Sequence, residues 1–415
     1  MLDIKFIREN RTEVEKMLEK RGVKLDLEHL LEIDDERLKL IKEVEALRHD
    51  RKIAADSHDE EKGRKIKRNL SKLEAALSAV ETEFNDYLEQ VPNMLSPDVP
   101  EGKDEGDNVE IKKWGQAKKF DFQVKDHLTL GKNLEIIDQK AAAKVSGHGF
   151  YYLVADGALL ELALVNWVVD FLRKKGFTPI ITPELVKERF VKGTGYLPRR
   201  EEPDIYKIEG EDLYLTATAE IPIAGLLADE ILAEKNLPRN YVGFSSSFRK
   251  EAGSYGKYTQ GIFRVHEFDK VEMFKFVKPQ DSDKAFEGIV ATQEQICQEL
   301  EIPYRVVNIC SGEMSAAAYL KYDLEYWDPV NEQYRELTSA SNTTDYQARR
   351  LNIKYKQTTG SSQPATSYVH TSNGTAIALS RTIIAILENN QQKDGSVKLP
   401  KVLHEYLGKD TIQRP

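Results

Sequence analysis

Cysteine is nearly absent. Cys297 and Cys310 are the only two in 415 residues, too few for a disulfide framework or a four-cysteine zinc site, so a reducing cytoplasm is the expected compartment. Long apolar runs are missing as well. No stretch approaches the roughly 18 apolar residues that a membrane span needs, and none is expected. The opening MLDIKFIREN lacks the basic end, apolar stretch and small-residue cleavage site of a secretory leader. Neither G-x-G-x-x-G nor G-x-x-x-x-G-K-[ST] occurs, which removes both common glycine-rich phosphate loops. A nucleotide, if bound, must be neutralised by arginines and a metal ion. Positive charge is in deficit, 60 Lys and Arg against 69 Asp and Glu for a net charge of −9. That balance excludes a protein that coats nucleic acid indiscriminately.

What is present begins with a local exception to that charge. Apolar residues recur at Leu30, Ile33, Leu40, Val44, Leu47 and Ala54, with Arg37 and Arg51 as polar members of the stripe. A second stripe runs through Ile66, Leu70, Leu73, Leu77, Val80, Phe84, Tyr87 and Val91. The segment ADSHDEEKG interrupts them. The pattern predicts an antiparallel coiled-coil hairpin over about residues 30–91, about 40 Å long at 1.5 Å per residue. Residues 48–72, around its tip, hold nine Lys or Arg against five Asp or Glu. A spacer or dimerising coiled coil and a basic arm for nucleic acid both fit this pattern.

A linker follows at VPNMLSPDVPEGKDEGDN, with three prolines and two glycines. It divides the chain into a helical arm, 1–98, and a second domain, 99–415. GALLELALVNWVVDFLRKKG reads as an amphipathic helix stopped at Gly176, and FTPIITPELV as a short strand closing on Pro183. Alternating strands are predicted at LYLTATAEI, NYVGFSSSF, GIFRVHEFDKVEMFKFV, YRVVNI, YDLEYWD, QYRELTSAS and TAIAL. Helices intervene without strict βαβ order. The expected fold is therefore α+β, an antiparallel sheet flanked by helices. In the long strand, Phe263, Val265, Val271 and Met273 form a core face; Arg264, His266, Phe268, Lys270 and Glu272 occupy the other. That polar face is either solvated or a binding surface.

Taken in order, GFTPIITP, TAE, FRKEAGSYGKYTQGIFRVHEFDKVEM, ELTSASN with DYQARR, and NGTAIALSRTIIAILEN resemble the motifs of seryl-tRNA synthetases, class II aminoacyl-tRNA synthetases, here of bacterial type. The hairpin is similar to that family's tRNA-binding arm, so the resemblance covers essentially the whole chain. It implies a catalytic antiparallel sheet, a cytoplasmic homodimer, and formation of seryl-adenylate from ATP and L-serine. Serine then passes to the 3′ end of tRNA(Ser), with tRNA(Sec) a second candidate.

The resemblance also implies roles. Arg249 would bridge the α-phosphate and the serine carboxylate, a task that suits a planar guanidinium fork, and Arg381 would meet the γ-phosphate. Glu251 would accept from the adenine amine, Phe268 would stack on the purine, and the backbone at Val265 would read its edge. Lys250, Arg264 and the run Glu336, Leu337, Thr338 and Ser339 complete the ATP site, with Glu336 and Ser339 as Mg²⁺ ligands. Glu272 would hold the serine ammonium, Thr218 and Glu220 would close the same pocket, and Asn373 and Thr375 would meet the serine side chain. Phe268 and Glu272, four residues apart, would span about 13 Å along one strand face. Arg64, Lys65, Lys67 and Arg68 would contact tRNA.

The sequence departs from the family at Tyr258 and Gln260, at Glu267 after His266, in ELTSASN, and at Ala376 and Ser380 in place of glycines. An amino-acid:carrier-protein ligase on the same domain remains an alternative, weighed against by the arm. A non-catalytic coiled-coil protein is another, weighed against by the retention of Arg249, Glu272, Glu336 and Arg381.

Overall fold

The computed structural model describes all residues except 58, 197–203, 252–260, 358–364 and 415. The chain forms two compact units, Met1–Met94 and Leu95–Pro415.

The first unit is helical. Short helices Ile4–Glu9 and Arg11–Lys20 precede α1 (Leu27–Asp56) and α2 (Glu60–Leu88), which pack side by side. Asp26 and Asp59 cap the two long helices, accepting from the backbone N–H of His29 and Lys62. The interruption is shorter than ADSHDEEKG suggested: Ala55 and Asp56 stay in α1, and Glu60 through Gly63 already belong to α2. The Asp59 cap, followed by Glu60 and Glu61 beside the positive end of the helix dipole, starts α2 early despite the glycine. Leu30, Ile33, Val44 and Ala54 of α1 are buried, as are Ile66, Leu70, Phe84 and Leu88 of α2. Arg37 earns its place in the apolar stripe. Its guanidinium lies 4.5 Å from the Phe84 ring centre and reaches the buried Asp34 at 2.7 Å, which Arg8 also grips at 2.8 Å.

The second unit is built on an eight-stranded sheet. Its strands are β1 (Val109–Trp114), β2 (Thr178–Ile181), β3 (Arg239–Phe248), β4 (Glu267–Val277), β5 (Tyr304–Asn308), β6 (Leu320–Asp328), β7 (Gln333–Thr344) and β8 (His370–Ala378). The spatial order is β1-β5-β6-β7-β8-β4-β3-β2, antiparallel throughout except for the parallel pair of β2 with β3. Helices α3 (Asp156–Lys174), α4 (Ser282–Glu299) and α5 (Leu379–Asn390) lie against it. Val271 and Met273 of β4, Leu324 of β6, Ala340 of β7 and Ile377 of β8 join apolar residues of these helices in one core. Alternation then directs the intervening side chains to the opposite face. Gly374 lets β8 approach α4 closely, because a Cβ there would come 2.4 Å from Ile289.

Two predicted strands are cut short. LYLTATAEI is extended only at Tyr214–Leu215, and Glu220 opens a helical turn, Glu220–Gly225. The hydroxyl of Thr216 donates to Thr218 O, and that of Thr218 accepts from Glu220 N–H, so local hydroxyl bonds replace ladder bonds. GIFRVHEFDKVEMFKFV becomes a strand only from Glu267; Gly261, with φ +86°, turns the chain before it. Arg264 therefore precedes the strand that carries Phe268 and Glu272.

Candidate active site

The face of the sheet turned from the helices floors a cavity of 290 Å³. From β4 it receives Phe268, Lys270 and Glu272, from β8 Asn373 and Thr375, from β6 Lys321, and from the first turn of α5 Arg381. Along β7 it receives Glu336, Ser339, Ser341 and Thr343. Strict alternation forbids that set, because residues three apart in a strand point to opposite faces. The ladder between β6 and β7 slips by one: Leu324 faces Thr338, whereas Glu325 faces Glu336. Leu337 is the extra residue of a β-bulge, and it brings Glu336 to the side of Ser339.

One end of the cavity is cationic. Arg381 Nη1 lies 3.1 Å from Glu336 Oε2 and donates to the Glu336 carbonyl at 3.4 Å. The Arg381 charge, helped by Lys321 and Arg249 and opposed by burial, pushes the Glu336 carboxyl down to about 2. Phe263 is flanked by the guanidinium of Arg335 at 3.7 Å and that of Arg381 at 4.6 Å. Arg249 stands 5.2 Å from the Phe268 ring centre and donates to Ala217 O at 3.5 Å. Arg264 Nη1 reaches Glu251 Oε2 at 3.5 Å.

The other end is acidic and more enclosed. Glu272 is 2% exposed and Glu220 6%. Glu272 Oε2 takes Lys270 Nζ at 2.8 Å and the Thr375 hydroxyl at 3.1 Å. Both bonds converge on Oε2, which leaves Oε1 for a ligand. Glu220 accepts three: Tyr196 OH at 2.7 Å on Oε2, with Gln347 Nε2 at 2.7 Å and Asn373 Nδ2 at 2.8 Å on Oε1. Burial, with the negative Glu272 nearby, still pushes the Glu220 carboxyl up to about 7. Burial and the Glu220 charge hold the Tyr196 phenol protonated.

Fourteen residues expected at the site line this cavity: Glu220, Arg249, Glu251, Arg264, Val265, Phe268, Glu272, Glu336, Leu337, Thr338, Ser339, Asn373, Thr375 and Arg381. Thr218 stands behind it, fully buried, its hydroxyl 3.3 Å from Glu220 N–H. Lys250 turns aside: its N–H donates to Asp204 O at 2.9 Å and its ammonium lies 5.9 Å from the Tyr206 ring. The departures at Tyr258 and Gln260 fall outside the described residues.

Other residues complete the site. Lys270 shares the strand parity of Phe268 and Glu272, a signal open to sequence reading. Gln293 of α4 donates from one Nε2 to Ser339 O at 2.8 Å and Thr375 O at 2.9 Å, tying β7 to β8 beneath the site. Nothing in the pattern around Lys321 or Tyr196 marks them, and Gln347, though inside the DYQARR stretch, carried no expected role.

Two families of domains match the chain: the tRNA synthetase class II core domain (G, H, P, S and T) over residues 205–390, and the seryl-tRNA synthetase N-terminal domain over residues 1–95. The antiparallel sheet with this cavity is thus a class II aminoacyl-tRNA synthetase core. A serine–tRNA ligase of Rubrobacter xylanophilus is 46% identical over 423 residues, 99% of each chain, and one of Dictyoglomus turgidum 46% identical over 426 residues, 100% of this chain and 99% of that one. The chain belongs to the seryl-tRNA synthetase family. Solved structures agree. The seryl-tRNA synthetase of Pyrococcus horikoshii complexed with ATP superposes with a TM-score of 0.91 at 43% identity over 100% of both chains. The cytoplasmic serine-tRNA ligase of Naegleria fowleri in complex with AMP gives 0.86 at 34% identity, over 100% of this chain and 99% of that one.

Proposed function

We propose that the chain activates L-serine with ATP in this cavity and passes serine to the 3′ end of tRNA(Ser). A carboxylate oxygen of serine attacks the α-phosphorus of ATP, the bond from that phosphorus to the bridging oxygen breaks, and pyrophosphate leaves. Two anions must meet, so cations and positioning supply most of the catalysis. Arg249 bridges the α-phosphate and the serine carboxylate, Arg381 takes the γ-phosphate, and adenine lies over Phe268 with Glu251 and the Val265 backbone at its edge. The serine ammonium meets Glu272 Oε1, and Glu220, Asn373 and Thr375 surround the amino acid. The observation that carries this reading is the division of one cavity into a cationic end and an acidic end.

Among the described residues no group of three or more His, Cys, Asp or Glu could hold a metal unaided. Glu336, kept ionised, and Ser339, brought alongside by the bulge, are two hard oxygen donors that fit Mg²⁺ when phosphates fill the remaining shell. Bound there, the ion supplies positive charge against the phosphates.

Arg64, Lys65, Lys67 and Arg68 are exposed on α2, which supports a role in holding the tRNA backbone. Leu159 and Leu162 of α3 and Ile181 of β2, exposed by 49%, 60% and 86%, support a homodimer through that surface. No described helix is long and apolar enough to cross a membrane, and the proposed compartment is the cytoplasm. The deciding experiment is amino-acid-dependent exchange of pyrophosphate into ATP. Serine is expected to drive it with Mg²⁺ present, while alanine, glycine, threonine and cysteine drive it weakly. Exchange driven equally by another amino acid would overturn the reading.

A further inference from the structure

A buried imidazole outside the cavity ties together two of its walls. His127, 6% exposed, lies between α5 and the turn that precedes β4. Its Nδ1 is 2.7 Å from Glu388 Oε1, which also accepts the His127 backbone N–H at 3.0 Å. Its Nε2 lies 3.4 Å from the backbone nitrogen of Ile262, whose N–H donates to it. One neutral tautomer satisfies both contacts: Nδ1–H donates to the carboxylate, and the Nε2 lone pair accepts from Ile262.

The neighbouring residues fit that latch closely. A Cβ on Gly261 would come 2.1 Å from His127 Nε2, and Gly261 holds φ +86°. Gln139 Nε2 donates to Gly261 O at 2.8 Å, fixing the turn from the other side. Immediately after it come Phe263, Arg264 and Val265, all lining the cavity. Glu388 sits on α5 two helical turns beyond Arg381 and so on the same side of the helix. The contacts close a ring: Arg381 against Phe263, Phe263 next to Ile262, Ile262 on His127, His127 on Glu388, and Glu388 back along α5 to Arg381.

We propose that His127 is a positioning residue for the nucleotide. Through Nε2 it holds the Ile262–Val265 wall in register with Arg381, so that the adenine and γ-phosphate contacts are set by one rigid ring. This rests on the reading of the cavity as an ATP and serine site. His127→Asn keeps a donor near the Nδ1 position for Glu388 but does not reach Ile262. His127→Gln reaches the Nε2 position and can accept from Ile262. The expected result for His127→Asn is an ATP KM raised about tenfold in pyrophosphate exchange, with the serine KM nearly unchanged, the effect of losing one buried hydrogen bond. Amide hydrogen exchange across residues 261–266 should quicken in the same variant. His127→Gln should recover most of both.

An ATP KM unmoved in His127→Asn, equal impairment of the two variants, or a serine KM rising in step with that for ATP would each overturn the proposal. ATP binding measured in parallel by calorimetry separates the two readings. A wild-type protein that binds ATP yet shows no serine-dependent exchange would refute the assigned reaction, while affinity and amide exchange would still judge the latch.

Discussion

The two ends of the cavity treat a carboxyl group in opposite ways. Glu336 is pushed down to about 2 and Glu220 up to about 7. Glu336 has an Arg381 guanidinium 3.1 Å away and a side chain 41% exposed; Glu220 is buried beside Glu272, and its side-chain donors among the described residues are all neutral. Charge partners decide the first case and desolvation the second. The difference suits the substrates. The phosphate end needs a permanent anion to steady its arginines, whereas the amino-acid end gains a full negative charge most readily when a cation arrives.

The largest expected effect comes from breaking the cationic end. Arg249→Ala and Arg381→Ala should each lower pyrophosphate exchange by roughly 10²–10³, comparable to removing an oxyanion donor, with the fold retained by circular dichroism. Near-normal exchange in either would remove that arginine from the proposed chemistry. At the acidic end, Glu272→Gln preserves an acceptor for Thr375 but lacks the charge. The serine KM should rise about 10- to 100-fold, and the ATP KM should stay close to wild type. Glu272→Ala is the poorer probe: it strands Lys270, 7% exposed, and should cost about 3–5 kcal/mol of stability.

Titration sharpens the contrast further. Glu220 rises from an ordinary 4.5 to about 7, so the folded protein holds this proton more tightly than the unfolded chain. Its stability contribution is full below about 4.5 and is lost as pH rises through about 7. Glu336 has the reverse sign, its contribution present above 4.5 and lost as pH falls toward 2. Because serine brings an ammonium group, its KM should fall several-fold between about pH 6 and 8, and Glu220→Gln should flatten that profile. A profile unchanged by the substitution would assign the titration elsewhere.

The smallest effect is expected where neither end is touched. Deleting residues 34–90 and rejoining the chain with a short Gly/Ser link should leave serine-dependent exchange largely intact while tRNA charging collapses. Neutralising Arg64, Lys65, Lys67 and Arg68 should weaken tRNA binding and reduce its salt slope by up to about 3.6. Loss of exchange on deletion would instead mark the hairpin as essential to the catalytic unit.

Much of this fold could be read from sequence because its signals are periodic. The stripes through Leu30–Ala54 and Ile66–Val91 gave the hairpin, and alternation gave β3, β4 and β6. Reading failed where local hydroxyl chemistry competes with a ladder, as at Thr216 and Thr218, and where a glycine at positive φ ends extension, as at Gly261. At the site, Arg249, Glu272 and Arg381 were legible through the family motifs. Tyr196 and Lys321 were not, since each enters through a tertiary approach, and Gln347, though inside DYQARR, showed its role only through its contact with Glu220. His127 was invisible for the same reason, as its partners lie 135 and 261 residues away.

Leu337 carries a consequence beyond its own side chain. The pairing of Glu336 with Ser339 is written in the count of residues between them, not only in their identity. Substituting Leu337 by another apolar residue should leave that count, and the cavity, alone. Deleting it would give a smoother strand with a more regular ladder and, with Glu336 then two residues from Ser339, would keep both on the cavity face. What would turn Glu336 to the core is ironing out the bulge with Leu337 still in the chain, so the pairing depends on a slack residue staying slack.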